Sequence, residues 1–224
     1  MKTILVATDF NDLATAALRQ AVPIARATGA EIVVLYADRF EPPAEFTSRQ
    51  AESLVEAIAE SRLRAAEELD RYAREIVPED VKFSTLVRED LPATAIVDLA
   101  EERDADLIVM GTHGRGGLAR IVLGSVTEAV RRRTKRPVLT ITRTGATPPI
   151  RKVACADASA SPFAADLVRR LDATFTESHD EADLIVVCES NLTLVRKSKV
   201  PVLTVKDAGK PDEHRWLLQE SLRP

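Results

Sequence analysis

Short apolar runs alternate with longer amphipathic segments along the first 141 residues, and this alternation restricts the fold more than any other feature. Most of the runs are continuously apolar, as expected when helices cover both faces of a parallel sheet. Strands that alternate with helices are joined by right-handed crossovers. The pattern predicts a doubly wound α/β domain with a five-stranded parallel sheet, its strands at 4–7, 32–37, 81–87, 106–110 and 137–141.

Two pairs of small residues follow the fourth predicted strand. Gly111 and Gly114 come directly after its apolar run, and Gly124 with Ser125 stands where the next helix begins. Glycine lets backbone N–H groups approach an anion closely, and a helix start adds free N–H groups and the positive end of its dipole. The spacing therefore predicts a phosphate-binding loop, in which Ser125 and Thr127 can also donate their hydroxyl protons.

The arrangement G-x-x-G-x9-G-[ST] after a strand ending ADLIVMG resembles the nucleotide-binding signature of the universal stress protein family, and every spacing in it is met. The resemblance covers residues 3–142 and implies an ATP or other adenine nucleotide ligand with Mg²⁺. It also implies a Rossmann-like strand order of 3-2-1-4-5. The nucleotide-binding residues that it implies are Ala7, Thr8, Asp9, Tyr36, Ala37, Met110, Gly111, Gly114, Arg115, Gly124, Ser125, Val126 and Thr127.

Some of these residues have a second interpretation. Asp9 ends the first strand, where the family has contacts to the adenosine half, but an Asp there also fits a helix cap. Tyr36 and Ala37 are implied only through their backbone groups. Met110 either flanks an adenine ring or belongs to the core, and Arg115 either meets phosphate oxygens or faces solvent.

The last third of the chain repeats parts of the first. Residues 153–157, 182–187 and 200–205 match the first, fourth and fifth strands in the same order, so a degenerate second copy is the simplest account. A turn-rich connector precedes it. We predict a complete domain over 1–143 and a smaller α/β repeat over 150–224 that includes a C-terminal helix.

The second copy lacks the long helix, the third strand and the glycine loop, and Cys188 stands where Gly111 stands in the first. It is therefore not expected to bind a nucleotide. So small a unit buries only a modest core and should dock on something. Family members pair through the fifth strand, which implies that 137–141 pairs with 201–205 within the chain, as a pseudo-dimer, or across a homodimer. Cys155 and Cys188 are expected to be reduced thiols, with a redox pair as the alternative.

Composition limits the partners and the location. The net charge of -4 argues against nucleic acid as a partner, because such a surface would mostly repel phosphate backbones. No apolar stretch approaches membrane-spanning length, and Met1 leads into a strand without a signal-peptide pattern. We therefore expect a cytoplasmic protein with neither a nucleic-acid nor a membrane partner.

Three functional hypotheses follow. The first is a nucleotide-binding protein of stress response or signalling, supported by the glycine spacing and the Asp9 strand. The second is a scaffold or regulator of the same fold that acts through protein contacts, supported by the shortened second copy. The third is an ATP-consuming enzyme. The sequence shows no P-loop lysine motif and no nucleophile with an orienting base, so only the slow hydrolysis or autophosphorylation known in some family members remains for it.

Overall fold

The computed structural model describes residues 1–37, 48–112, 123–145, 149–189 and 200–206, with the single residues 191, 194, 195 and 198; for 48–57 it describes the backbone alone. Three sequence predictions lie outside these residues, namely the contacts of Gly114, those of Arg115 and the C-terminal helix.

The described residues of the first half form five strands and four helices that alternate along the chain. Asn11 starts the first helix by accepting a 2.8 Å hydrogen bond from the Ala14 N–H group, and Gly29 ends it with a left-handed φ of 69°. The elements are β1 (Thr3–Thr8), α1 (Asp12–Thr28), β2 (Glu31–Ala37), α2 (Ser48–Ile76), β3 (Phe83–Arg88), α3 (Pro92–Glu102), β4 (Leu107–Gly111), α4 (Ser125–Arg133) and β5 (Val138–Ile141).

These five strands lie in the order β3-β2-β1-β4-β5, all parallel to one another, which confirms the predicted class and order. Successive side chains of a strand point to opposite faces of the sheet. Accordingly, Ile4 and Val6 pack into a core with α1 and α2, whereas Leu5 packs into a second core with α3 and α4. None of the helices in the described ranges is both long and apolar enough to cross a membrane.

The second half continues the same sheet. Its strands extend the sheet on the far side of β5, so that the described residues form nine strands in the order β3-β2-β1-β4-β5-β9-β8-β6-β7. The connector predicted as a domain boundary thus joins two halves that share one sheet. The elements are β6 (Lys152–Cys155), a 3-10 turn (Ala158–Ala160), α5 (Ser161–Arg170), β7 (Thr174–Phe175), β8 (Leu184–Cys188) and β9 (Val202–Val205).

The same kind of hydrogen bond occurs at the start of β1 and at the start of β6. An oxygen of Asp106 accepts from the N–H groups of residues 2 and 3, which open β1, and an oxygen of Asp183 accepts from those of residues 151 and 152, which open β6. Between β7 and β8, residues 176–183 form only turns and bends, whereas the first half has α2, β3 and α3 between the corresponding strands.

The two halves meet through β5 and β9, which pair antiparallel within the chain. Leu139 lies opposite Leu203, and Val138 lies opposite Thr204 just as Thr140 lies opposite Val202. Val138 thus faces the equivalent of Thr140, Thr140 faces the equivalent of Val138, and Leu139 faces its own equivalent, which is the pattern of a two-fold interface. Of the two predicted pairings, the structure has the intrachain one.

Candidate functional site

The predicted site residues that belong to the described chain lie at one edge of the sheet, where β1 and β4 end side by side. The two strands pair in parallel up to Val6 opposite Val109, so Ala7 and Met110 follow at the same edge. From this edge the chain turns to α1 on one face of the sheet and to α4 on the other. Open α/β sheets bind ligands at such a switch point, because the diverging connections leave a crevice at the carboxyl ends of the strands.

Gly111 ends β4 and touches the start of α1. A Cβ atom at this position would lie 2.9 Å from the Cβ of Leu13 and 3.4 Å from its carbonyl carbon. Carbon atoms pack best at about 3.5–4.0 Å, so no larger residue fits unless α1 moves. The sequence predicted that Gly111 lets the backbone approach a phosphate. In the described chain, the lack of a side chain at Gly111 allows α1 to pack closely against the end of β4.

The first turn of α4 is tied to the end of β4. The Gly124 N–H group donates to the Thr112 carbonyl at 2.6 Å, and the Thr127 hydroxyl donates to the Gly111 carbonyl at 2.8 Å. The predicted hydroxyl contribution of Thr127 to a ligand is thus replaced by a structural bond, since a hydroxyl has one proton to donate. These two bonds set the direction in which α4 leaves the sheet.

The backbone of α4 leaves its leading N–H groups available for an acceptor outside the helix. The first intrahelical bond runs from the Glu128 N–H group to the Gly124 carbonyl at 2.9 Å. The N–H groups of Ser125, Val126 and Thr127 precede it and have no acceptor within the helix. Together with the positive end of the helix dipole they form a site suited to an anion.

Asp9 lies half-buried beyond the end of β1. Its carboxylate accepts from the backbone N–H group of Asn11 at 3.3 Å and from the Asn11 side-chain amide at 3.2 Å. Asp9 therefore bonds a backbone N–H group at the helix entry, as the alternative interpretation predicted, but the N-cap of α1 is Asn11. A carboxylate offers about four acceptor positions, so Asp9 keeps acceptor capacity for a further donor.

An unpredicted residue, Phe10, shapes the same turn. Its φ of 64° is left-handed, a conformation that costs a bulky residue about 1–2 kcal/mol. Its ring lies 4.9 Å from that of Tyr36 and 5.3 Å from that of Tyr72, and such aromatic pairs offset strain of this size. The only sequence signal was an aromatic residue directly after the strand-end Asp. Thr8 supports the turn by accepting from the Phe10 N–H group at 3.0 Å.

Four of the predicted residues share one apolar surface on the side of α3 and α4. Met110 is buried there, and Ala7, Ala37 and Val126 pack against the same core while staying partly exposed. The Tyr36 side chain lies in the opposite core, with Phe10, so only its backbone belongs to this edge. The structure thus brings Asp9, the α4 amides and a small apolar surface to one edge of the sheet.

The corresponding edge of the second half is filled by its own side chains. Cys188 occupies the Gly111 position, and its N–H group donates to the Asp157 carboxylate at 2.9 Å. Its Sγ lies 2.8 Å from the Ser159 hydroxyl oxygen, and the Cys155 thiol donates to the Asp157 carbonyl at 3.2 Å. Neither Cys155 nor Cys188 forms a disulfide bond.

Comparisons with known proteins agree with this architecture. The model of the universal stress protein family matches residues 1–142. Universal stress protein MJ0531 of Methanocaldococcus jannaschii is 38% identical over 141 residues, which cover 62% of this chain and 81% of that protein.

Two solved structures extend the comparison to the fold. The structure of protein MJ0577 is 30% identical, covers 65% of this chain and 98% of its own, and superposes with a TM-score of 0.51. A universal stress protein from Archaeoglobus fulgidus is only 15% identical, yet it covers 92% of this chain and 98% of its own with a TM-score of 0.66, so it shares the fold of both halves. Because the family model covers more than half of the sequence, the chain belongs to the universal stress protein family.

Proposed function

We propose that this chain binds an adenine nucleotide, ATP with Mg²⁺, in the crevice between β1 and β4 and acts through it in stress response or signalling. The observation that carries the proposal is the first turn of α4. Its bonds to Thr112 and Gly111 hold the N–H groups of Ser125, Val126 and Thr127 beside the end of β4, where they can receive phosphate oxygens. The glycine spacing of the sequence supports the same ligand.

The rest of the crevice suits the adenosine half. The side chains of Ala7 and Ala37 are single methyl groups. The ends of β1 and β2 therefore leave room above the sheet for a flat ring beside Met110. Asp9 has acceptor capacity for the ribose hydroxyls beyond its two bonds from Asn11. We assign Mg²⁺ to the phosphates of the nucleotide, where it would neutralise charge that the α4 amides only partly balance.

The test is the substitution Gly124→Asp, with ATP binding measured by calorimetry in the presence of Mg²⁺. Gly124 is the N-cap of α4, and its φ of -58° is one that any residue adopts, so the backbone permits Asp, a favoured N-cap residue that would itself accept from the first amides of the helix. Its carboxylate would also lie close to the phosphates, and two like charges about 4 Å apart near a surface repel by about 4 kcal/mol. We expect the affinity for ATP to fall by about a thousandfold with an unchanged circular-dichroism spectrum.

The matched control is Leu91→Asp. Leu91 is the N-cap of α3, is 51% exposed and makes no capping bond through its side chain, so the same new charge enters at an equivalent position of another helix. ATP binding should stay unchanged in this variant. Retained affinity in Gly124→Asp would refute the assignment of the anion site.

A second candidate function is a scaffold of the same fold that acts without nucleotide. Phe175 favours it, because this large side chain is 53% exposed on the short edge strand β7, where a protein partner could cover it. Mass spectrometry of the purified native protein separates the two functions. Co-purified adenine nucleotide supports the first, and protein free of nucleotide that also fails to bind added ATP supports the second.

A further inference from the structure

Helix α4 is packed on both halves of the chain. Val126 and Val130 lie in the core of the first half, between the sheet and α3. Leu123, directly before the N-cap of α4, is 3% exposed and lies in a different core, whose other members in the described chain all belong to the second half. Those members include Ala154 of β6, Ile185 and Val187 of β8, and Val202 of β9.

A second contact joins the same helix to the second half. Arg131 is buried, and its Nε donates to the hydroxyl oxygen of Thr204 on β9 at 3.1 Å. Leu123, Thr127 and Arg131 are spaced by four residues, which places them along one side of the helix and its entry. This side of α4 therefore contacts the second half at both of its ends, through Leu123 and Arg131, and the end of β4 between them, through Thr127.

Two consecutive residues at the start of α4 are held by different halves of the chain. Leu123 is held in the core of the second half, whereas the N–H group of Gly124 is held by Thr112 of the first half. The amides of residues 125–127 follow immediately. Their position relative to β4 thus depends on how Leu123 packs between β6, β8 and β9.

We propose that Leu123 is a positioning residue through which the second half sets the geometry of the anion site in the first half. The proposal rests on the proposed function, since the amides in question are those assigned to phosphate. It gives the shortened repeat a role, because a unit that has no glycine loop of its own supports the one next to it. Coupling of this kind is reciprocal, so nucleotide binding must in turn stabilise the packing around Leu123.

The experiment compares Leu123→Ala with Leu167→Ala in the full-length chain. Leu167 lies on α5 of the second half, is 2% exposed and packs on the opposite face of the sheet, so the two variants remove the same side chain at similar burial. Binding of ATP with Mg²⁺ is measured by calorimetry at a temperature at which each variant is folded. We expect at least a tenfold loss of affinity in Leu123→Ala and less than a twofold change in Leu167→Ala.

Amide hydrogen exchange supplies a readout that does not depend on affinity. ATP should slow exchange in Leu184–Cys188 and Val202–Val205 of the natural chain, although these strands do not line the crevice, and Leu123→Ala should abolish that effect. If Leu123→Ala does not fold, Val187→Ala, which opens the same core from the side of β8, takes its place with the same expectations.

The outcomes separate the two proposals. A natural chain that binds no adenine nucleotide contradicts the proposed function. A natural chain that binds ATP while Leu123→Ala binds it equally well leaves the proposed function intact and overturns the role of Leu123. Equal losses in Leu123→Ala and Leu167→Ala also overturn it, because they would trace the effect to general stability.

Discussion

Replacing Gly111 by alanine tests how the site is built, because the structure gives the clash directly. The new Cβ would lie 2.9 Å from the Cβ of Leu13, while carbon atoms pack best at about 3.5–4.0 Å, so the first turn of α1 must retreat by roughly 0.6–1.1 Å. Overpacking of this kind costs about 1–3 kcal/mol. For a chain of this size we expect the melting temperature to fall by about 2–12 °C.

The assay is urea denaturation of a double-mutant cycle. Leu13→Gly removes the Cβ atom that the new methyl group of Gly111→Ala would contact. We therefore expect Leu13→Gly to lower the free energy of unfolding by at least ~1 kcal/mol less in the Gly111→Ala background than in the natural chain. ATP affinity should fall in Gly111→Ala, since the Asp9 turn is tied to α1 through Asn11.

Gly29→Ala is the control for binding. Gly29 ends the same helix at its far end, where an added Cβ meets nothing within 4 Å, although its left-handed φ makes the change destabilising. It should lower stability without lowering ATP affinity. A Gly111→Ala chain as stable as the natural one, or effects of Gly111→Ala and Leu13→Gly that simply add, would refute the account of Gly111 as a packing contact.

Two further predictions concern the seam and the surface. A fragment of residues 1–146 should be less stable to urea or change its oligomeric state by light scattering, because it exposes the edge of β5 that β9 covers; an equally stable monomer would count against this. Separately, the hydrogen bond from the Arg26 guanidinium lowers the pKa of the Asp80 carboxyl in the folded protein. The pair therefore stabilises the fold at a pH above the pKa that Asp80 has in the unfolded chain, and this stabilisation is lost as the pH falls through the pKa that Asp80 has in the folded protein. An NMR titration should show the Asp80 pKa returning to its usual range in Arg26→Gln, and an unmoved value would contradict the pairing.

Much of the architecture is local and could be predicted. The runs around Ile4, Ile32 and Leu107 are apolar on both sides because helices cover both faces of the sheet, so their composition alone identifies buried parallel strands. The start of α4 at Ser125, after Gly124, was predicted from its glycine and hydroxyl pair, and the structure confirms it. The strand order came from the family resemblance, since position along the chain does not determine which strands pair.

Other features depended on contacts between distant segments. Asn11 rather than Asp9 caps α1, because the turn at Phe10 places the later side chain at the first free amides. Residues 153–157 matched the first strand in the sequence, and strand pairing places Asp157 at the position of Thr8 rather than of Asp9, where its carboxylate accepts from the Cys188 N–H group. Each of these outcomes turns on a register shift of one or two residues, which periodicity does not resolve.

The sequence by itself determined the class of fold and the start of α4 after Gly124, because these follow from local periodicity and spacing. Only the tertiary structure decided that β9 of the same chain covers the edge of β5, and that Leu123 belongs to the core of the second half. The sequence indicates that the edge of β5 must be paired and that an apolar side chain such as Leu123 must be buried. Which partner they find depends on what the rest of the chain brings within reach.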